Sequence, residues 1–267
     1  MAPENYENVK LDHAGKGVWV LKVSRPQALN ALNFATLKDM ASALGFLAND
    51  PGVRAVVVTG EGEKAFIAGA DITEMRTMDR GGAVAFAKAG QAVTVQLQGM
   101  RCPVIAAVNG FALGGGTEVA IACDFIFASE NARFGQPEVG LGVIPGFGGT
   151  IRLSYFVRMP MAKELILSGR HVKADEALRI GLANRVLPLA DLLPETIKFA
   201  QEISAHSKGA VGLAKKLLNE FSESVGLHYK LDSEAQEFGN LFESKDQREG
   251  MEAFAQKRKP AFEGAQP

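Results

Sequence analysis

The sequence predicts an α/β fold, on two observations. Short, largely apolar runs such as Val53 to Thr59 (VRAVVVT) and the unbroken Val104 to Val108 (VIAAV) recur along the chain. Continuous rather than alternating runs suit strands buried on both faces. Between them lie stretches with apolar residues three and four apart, the spacing of one helix face. That alternation requires helices packed over a sheet.

The elements follow in order. Val18 to Val23 (VWVLKV) reads as a strand, after which Ser24-Arg25-Pro26 turns the chain. From Leu29 onward, Leu37, Met40, Leu44 and Leu47 make one helical stripe, ended by Asn49-Asp50-Pro51-Gly52. Val53 to Thr59 is the next strand, closed by Gly60-Glu61-Gly62, followed by a strand at Phe66-Ile67-Ala68 and a helix around Val84 to Leu97. Val104 to Val108 then opens a strand, tight loop and buried helix. Asn109-Gly110 breaks the run, Gly114-Gly115-Gly116 follows, and Thr117 to Ala122 continues without Gly or Pro.

After Thr150 the pattern is mostly helical, at Met161 to Leu167, Ala174 to Ile180 and Leu192 to Ser204, with a short strand at Asn184 to Leu187. Beyond Ser207, helices are predicted around Val211 to Phe221, Leu227 to Phe242 and Asp246 to Lys257. No Pro- or Ser-rich linker intervenes. The chain therefore divides into a core, 1–206, and a helical region, 207–267, that is not an independent domain.

Composition bounds the function. With 267 residues, 47% hydrophobic and 22% charged, the chain is expected to be soluble and globular with an ample core. A net charge of −1 gives no footprint for nucleic acid or an anionic membrane. Glycine, 29 residues, exceeds the usual share and indicates many tight turns. Cys102 and Cys123 lack metal-ligand spacing and read as reduced core thiols. The beginning, MAPENYENVKLDHAG, shows neither a basic region nor an apolar signal segment, so a cytoplasmic protein is the expectation. His13, His171, His206 and His228 fit no nucleophile pattern, and no G-x-S-x-G elbow occurs.

Two features point to chemistry. A glycine triplet at a helix start lets backbone N–H groups approach a ligand, with the helix dipole directed at developing negative charge. Glu118 follows the triplet and precedes Val119-Ala120-Ile121-Ala122-Cys123, which offers no charge to pair with. A buried, unpaired carboxylate is costly and binds its proton tightly, which favours a functional role. Glu138 follows Pro137 where a second short helix can begin.

The strings VNGFALGGGTE, FGQPEVGLG and IPGFGGT, with the earlier FIAGADI, resemble the enoyl-CoA hydratase (crotonase) family. The resemblance spans Arg25-Pro26 to Lys257-Arg258-Lys259. It implies a crotonase-type superhelix of β-β-α units, whose C-terminal helices pack between subunits of a trimer, or of a hexamer made from two trimers. It also implies syn addition of water to a 2-trans-enoyl-CoA thioester, giving 3-hydroxyacyl-CoA. In that reaction Glu118 acts as base, Glu138 as acid, and the N–H groups of Ala70 and Gly115 form the oxyanion hole.

By the same resemblance Ala28, Lys64, Ala68, Asp71, Ile72, Phe254 and Lys257 contact the acyl-CoA substrate, Phe254 and Lys257 reaching a neighbouring subunit's ligand. Coenzyme A is then part of the substrate, and no metal or separate cofactor is expected. Asp71 and Asp124 also read as structural acids, bonding nearby backbone or an Arg. An isomerase using Glu138 alone is the alternative, against which Glu118 counts. A non-catalytic RNA-binding relative is a further alternative, opposed by the near-zero net charge.

Overall fold

The computed structural model describes residues 6–222 and 227–261. The first residues of the N-terminal reading and parts of the 207–267 region, 223–226 and 262–267, lie outside them.

The apolar runs form a six-stranded sheet in the order β1 (Val9–His13), β2 (Val18–Val23), β3 (Ala55–Gly60), β5 (Val104–Val108), β7 (Phe125–Ser129) and β10 (Arg185–Leu187). Only the β1–β2 pair is antiparallel. A smaller four-stranded sheet contains β4 (Ala65–Ile67), β6 (Phe111–Leu113), β8 (Arg133–Gly135) and β9 (Val172–Lys173), with β4, β6 and β8 parallel. Its strands are two or three residues long.

The two sheets are built by one repeated move. Strands β3, β5 and β7 lie in the large sheet, β4, β6 and β8 follow each of them in the small sheet, and a helix closes each unit. The helices are α3 (Arg80–Gly99), preceded by the short α2 (Ile72–Met75); α4 (Gly115–Ala120); and α5 (Gly149–Ser168), which breaks at Arg158 (φ 63°, ψ 155°) ahead of Pro160. This is the β-β-α superhelix. The "tight loop" expected after Val108 contains strand β6. Strands β1, β8 and β9, which the pattern reading passes over, are short or carry Asp, Arg and Lys, whereas β7 (FIFAS), also passed over, is a buried, largely apolar five-residue run like β5. Segments of the first kind give no periodic signal.

Helix α1 (Phe34–Asn49) begins where Asn33 accepts the Thr36 N–H at 2.9 Å, satisfying one of the orphan amides of a first turn. It buries Leu37, Met40, Leu44 and Leu47, the stripe read from the sequence. Each is worth ~1.5–3 kcal/mol when fully removed from water. The remaining helices are α6 (Ala174–Arg179), α7 (Leu189–Ser204), α8 (Lys208–Ser222), α9 (Leu227–Leu241) and α10 (Lys245–Ala255). Leu192 and Ala200 of α7 pack on one face of the large sheet with Val18, Val20, Val57, Ile105 and Phe127. Leu21, Val56, Val58, Ala106 and Ile126 join the main core on the other face. Both faces are covered, which is why the runs are continuous rather than alternating.

Asn109, just after β5, ties the sheets together: its Oδ1 accepts the Gly60 N–H (3.2 Å) and its Nδ2 donates to the carbonyls of Gly60 (3.0 Å) and Gly62 (2.6 Å). Cys102 and Cys123 are buried free thiols. The C-terminal region joins the core through buried polar contacts. Lys215 of α8 pairs with Asp124 (2.8 Å) and donates to the Cys102 carbonyl (3.0 Å). Asp124 also accepts the Val104 N–H (2.7 Å), a structural role as expected.

The close approach of α4 to β4 permits a test. A Cβ on Gly116 would lie 1.9 Å from the Ile67 carbonyl oxygen, whereas one on Gly45, inside α1, meets nothing within 4 Å. Gly116→Ala is expected to cost at least the ~1–3 kcal/mol of overpacking. Gly45→Ala is expected to add ~0.5–1 kcal/mol. Urea unfolding reads both, and equal stabilities would refute the account of the α4–β4 packing.

Candidate active site

Strands β4 and β6 are parallel neighbours, so the segments that follow them leave the same edge of the small sheet. That carboxyl edge is where α/β folds place ligands. After β4 the chain pairs with Leu32, whose N–H donates to the Gly69 carbonyl (2.8 Å) while its carbonyl accepts the Asp71 N–H (2.7 Å). In this parallel bridge the intervening Ala70 N–H points away from Leu32. After β6, Gly114 (φ 50°, ψ −122°) turns the chain into α4, of which Gly115 is the first residue. A first-turn amide has no partner inside its own helix. Among the described residues, neither the Ala70 nor the Gly115 N–H meets a protein acceptor. Both residues line one cavity of about 260 Å³.

Glu118 and Glu138 line it too. Glu118 lies one turn into α4 and is 1% exposed. Its Oε1 accepts the N–H groups of Phe147 (2.8 Å) and Gly149 (2.7 Å). Burial, then the nearby Glu138 and Glu234 carboxyls, push its proton affinity well above that of an ordinary carboxyl, against those two N–H donors. Glu138 opens the 3-10 turn Glu138–Leu141. Burial, with Glu234 adding to it, pushes the Glu138 carboxyl up to about 8. With its amide nitrogen turned toward the carboxylate, Gln136 donates to both Glu138 oxygens, at 3.1 and 3.3 Å. A Cβ on Gly114 would sit 2.8 Å from Glu138 Oε1, so this turn has room for glycine alone.

The arrangement has definite chemical capacity. Two like charges in one buried site do not ionise together easily, so the pair retains a proton near neutral pH and offers one acid and one base. The two unpartnered amides suit an oxygen that gains negative charge. The rest of the lining is largely apolar, with Met75, Phe86, Val143, Phe147 and Phe238 prominent.

The other expected residues divide. Ala68, Ile72 and Phe254 line the cavity. Phe254, expected at a neighbouring subunit's ligand, lines the cavity of its own chain; it is 57% exposed. Ala28, Lys64, Asp71 and Lys257 are not among the lining residues. Asp71 caps α2, accepting the Thr73 N–H at 3.1 Å, and pairs with Arg25 at 3.1 Å, which accounts for it structurally. Ala28 ends the 3-10 turn Pro26–Ala28, beside Leu29, whose carbonyl accepts the Ala68 N–H at 3.1 Å. The Lys64 carbonyl accepts the Phe111 N–H at 3.0 Å, and Lys257 follows α10 at φ 54°.

Sequence reasoning missed Gln136 and Glu234. Gln136 stands within a motif string, but its orientation toward Glu138 depends on the turn after β8. Glu234 lies on α9, distant in sequence from every motif, and left no local signal. A larger cavity of about 550 Å³, with Ile121, Phe156, Ile203 and Lys215 in its wall, includes neither Glu118 nor Glu138.

A family model described as enoyl-CoA hydratase/isomerase matches residues 13–265. The chain belongs to this family. It is 49% identical over 256 residues to the short-chain-enoyl-CoA hydratase of Clostridium acetobutylicum, covering 94% of this chain and 96% of that relative. It is 47% identical over 257 residues to the crotonyl-CoA hydratase of Syntrophomonas wolfei, covering 96% and 98%. Among solved structures, carnitinyl-CoA hydratase from Mycobacterium avium superposes with a TM-score of 0.86 at 34% identity, covering 98% of this chain and 100% of that one. The β-β-α architecture is thus the fold of this enoyl-CoA hydratase/isomerase family.

The raised affinity of Glu138 has a consequence for stability. Its carboxyl moves from 4.5 to about 8, so over that range the folded chain binds more protons than the unfolded one. The stabilisation it contributes is complete below the unfolded value and is lost as pH rises through the folded one. Urea midpoints measured against pH should fall less steeply in Glu138→Gln than in the wild type across that window. Identical slopes would show that the folded-state shift is absent.

Proposed function

We propose that this chain is an enoyl-CoA hydratase that adds water across the double bond of a 2-trans-enoyl-CoA to give 3-hydroxyacyl-CoA. The observation that carries the reading is the meeting, in one largely apolar cavity, of two amides without an acceptor among the described residues, the buried Glu118 and the half-buried Glu138. The thioester oxygen would lie between the N–H groups of Ala70 and Gly115. Glu118 takes a proton from water as its oxygen bonds to C3, and the C2=C3 π electrons move toward the thioester oxygen. Glu138 gives its proton to C2 as that charge returns. A proton passing from Glu118 to Glu138 restores the pair. Water and proton are delivered from the same side, so the addition is syn.

Two relatives bear the names short-chain and crotonyl. A cavity of about 260 Å³ bounded by Phe86, Phe147 and Phe238 suits a short acyl chain. We assign the coenzyme A portion to the outside of this cavity, past Ala28 and Ala68, with Lys64 and Lys257 as phosphate contacts and Asp71 holding the loop between them. Coenzyme A belongs to the substrate, and the acid, base and amide donors require no further cofactor.

Glu118→Gln and Glu138→Gln keep the side-chain size while removing the proton transfer. Each should lower hydration of crotonyl-CoA by ~10²–10⁴-fold. The double variant should lose far less than the product, because groups acting as a unit are not additive. Supplying 3-enoyl-CoA as well separates the isomerase, in which folded Glu118→Gln would still move the double bond. Near-normal hydration by that variant sinks the two-carboxylate mechanism. Dialysis against a chelator is expected to leave the wild type unchanged.

We further propose self-association as a trimer, singly or paired into a hexamer. The support is an apolar stripe on α8, where Leu213, Leu217 and Leu218 are 57%, 45% and 71% exposed. Exposure of this kind on a helix is what an interface covers. Light scattering on the full chain should give a multiple of three protomers, and a monodisperse monomer or dimer would overturn the assignment.

A further inference from the structure

The helices beyond Ser207, read from the sequence as an assembly region, also reach the back of the catalytic cavity. Glu234 of α9 is a charged side chain only 5% exposed, with no place in the hydration scheme above. Its Oε1 accepts the Gly148 N–H at 2.7 Å, and its Oε2 accepts the hydroxyl of Thr150. Glu118 Oε1 accepts the two amides that alternate with these, Phe147 and Gly149. The turn that opens α5 is thus held by two buried carboxylates, one from α4 and one from α9.

We propose that Glu234 is a positioning residue for the hydration step: acting from the C-terminal region, it fixes the 147–150 turn and, through it, the carboxylate of Glu118. The inference rests on the hydratase reading. It follows from the geometry, because the only described hydrogen bonds to the Glu118 side chain come from this turn. If the turn shifts, the base shifts with it. Misplacing a reacting group by about 1 Å can cost ~10²-fold in rate.

The charge of Glu234 has its own effect. It favours the protonated forms of Glu118 and of Glu138. Burial raises the proton affinity of Glu234 itself, against the Thr150 hydroxyl, the turn amides and, on α5, Arg152; the other charged groups that face it are those two acids. Helix α3, also packed on α9, directs Lys88 to Asp232 and Arg80 to Gln236 and Asn240, toward solvent. Removing the Glu234 charge should therefore move the acid–base profile of the pair to lower pH, which a purely structural residue would not do.

The test assays full-length wild type, Glu234→Gln and Glu234→Asp on crotonyl-CoA across pH. Glu234→Gln should lower kcat by ~10-fold or more, within the ~10²-fold reach of misplacement, with KM little changed and the kcat–pH profile displaced to lower pH. Glu234→Asp keeps the charge on a shorter stem, so kcat should fall while the profile stays in place. A folded Glu234→Gln with wild-type kcat and profile overturns the proposal, as does a loss of kcat with no displacement of the profile. Should Glu234→Gln fail to fold, Glu234→Asp decides alone, and wild-type kcat there overturns the role. A wild type inert on crotonyl-CoA defeats the hydratase reading itself, whereas an active wild type with indifferent variants defeats only the positioning role.

Discussion

The Glu118 carboxylate is held in the interior by the N–H groups of Phe147 and Gly149 and by no cation among the hydrogen bonds described for it. Taking a carboxylate out of water costs several kcal/mol even after the protein relaxes around it. Two amide bonds to a charged acceptor return part of that, at ~1.5–3 kcal/mol each. The remainder appears as raised proton affinity. Much of the surrounding structure serves this compromise. The turn must bring two amides to one oxygen, and a Cβ on Gly149 would lie 3.0 Å from that oxygen. Phe147 meanwhile packs its ring over Gly90 of α3, where a Cβ would lie 2.2 Å from it.

The two-sheet layout supplies the other half of the site. Because β4, β6 and β8 of the small sheet are parallel, consecutive β-β-α units deliver their loops to the same edge, and the Ala70 and Gly115 amides arrive from adjacent strands. Neither amide can titrate, and both are held by backbone pairing rather than by flexible side chains. Such donors need little reorganisation when charge develops. The large sheet, covered on both faces, is the rigid frame on which these loops are set.

The C-terminal helices connect this frame to the chemistry. Helix α8 is fastened by the buried Lys215–Asp124 pair, and α9 inserts Leu231, Ala235 and Phe238 into the interior. Phe254 of α10 closes the cavity from the same region. The 207–267 helices are thus continuous with the cavity wall, so changes there act on the site.

The sequence by itself determined the class of fold, the buried strands β2, β3 and β5, the face of α1, and the two acids. Each of these has a local cause: unbroken apolar runs, a 3-4 spacing, or a carboxyl in a stretch with no counter-charge. The triplet at Gly114 marked the helix start that the chain makes at Gly115, and the motif strings named the family. Strands β4, β6, β8 and β9 make up the second sheet, and only tertiary structure decided their pairing. Segments of two or three residues carry no periodicity and exist because their neighbours pair with them. The same holds for Gln136 facing Glu138 and for Glu234 facing Gly148. Those contacts join residues brought together by a turn or by packing across 86 positions of sequence, as in the bond from Gly148 to Glu234. Hydrogen bonding across such a separation is a property of the folded chain, and nothing in the local sequence around Glu234 specifies it.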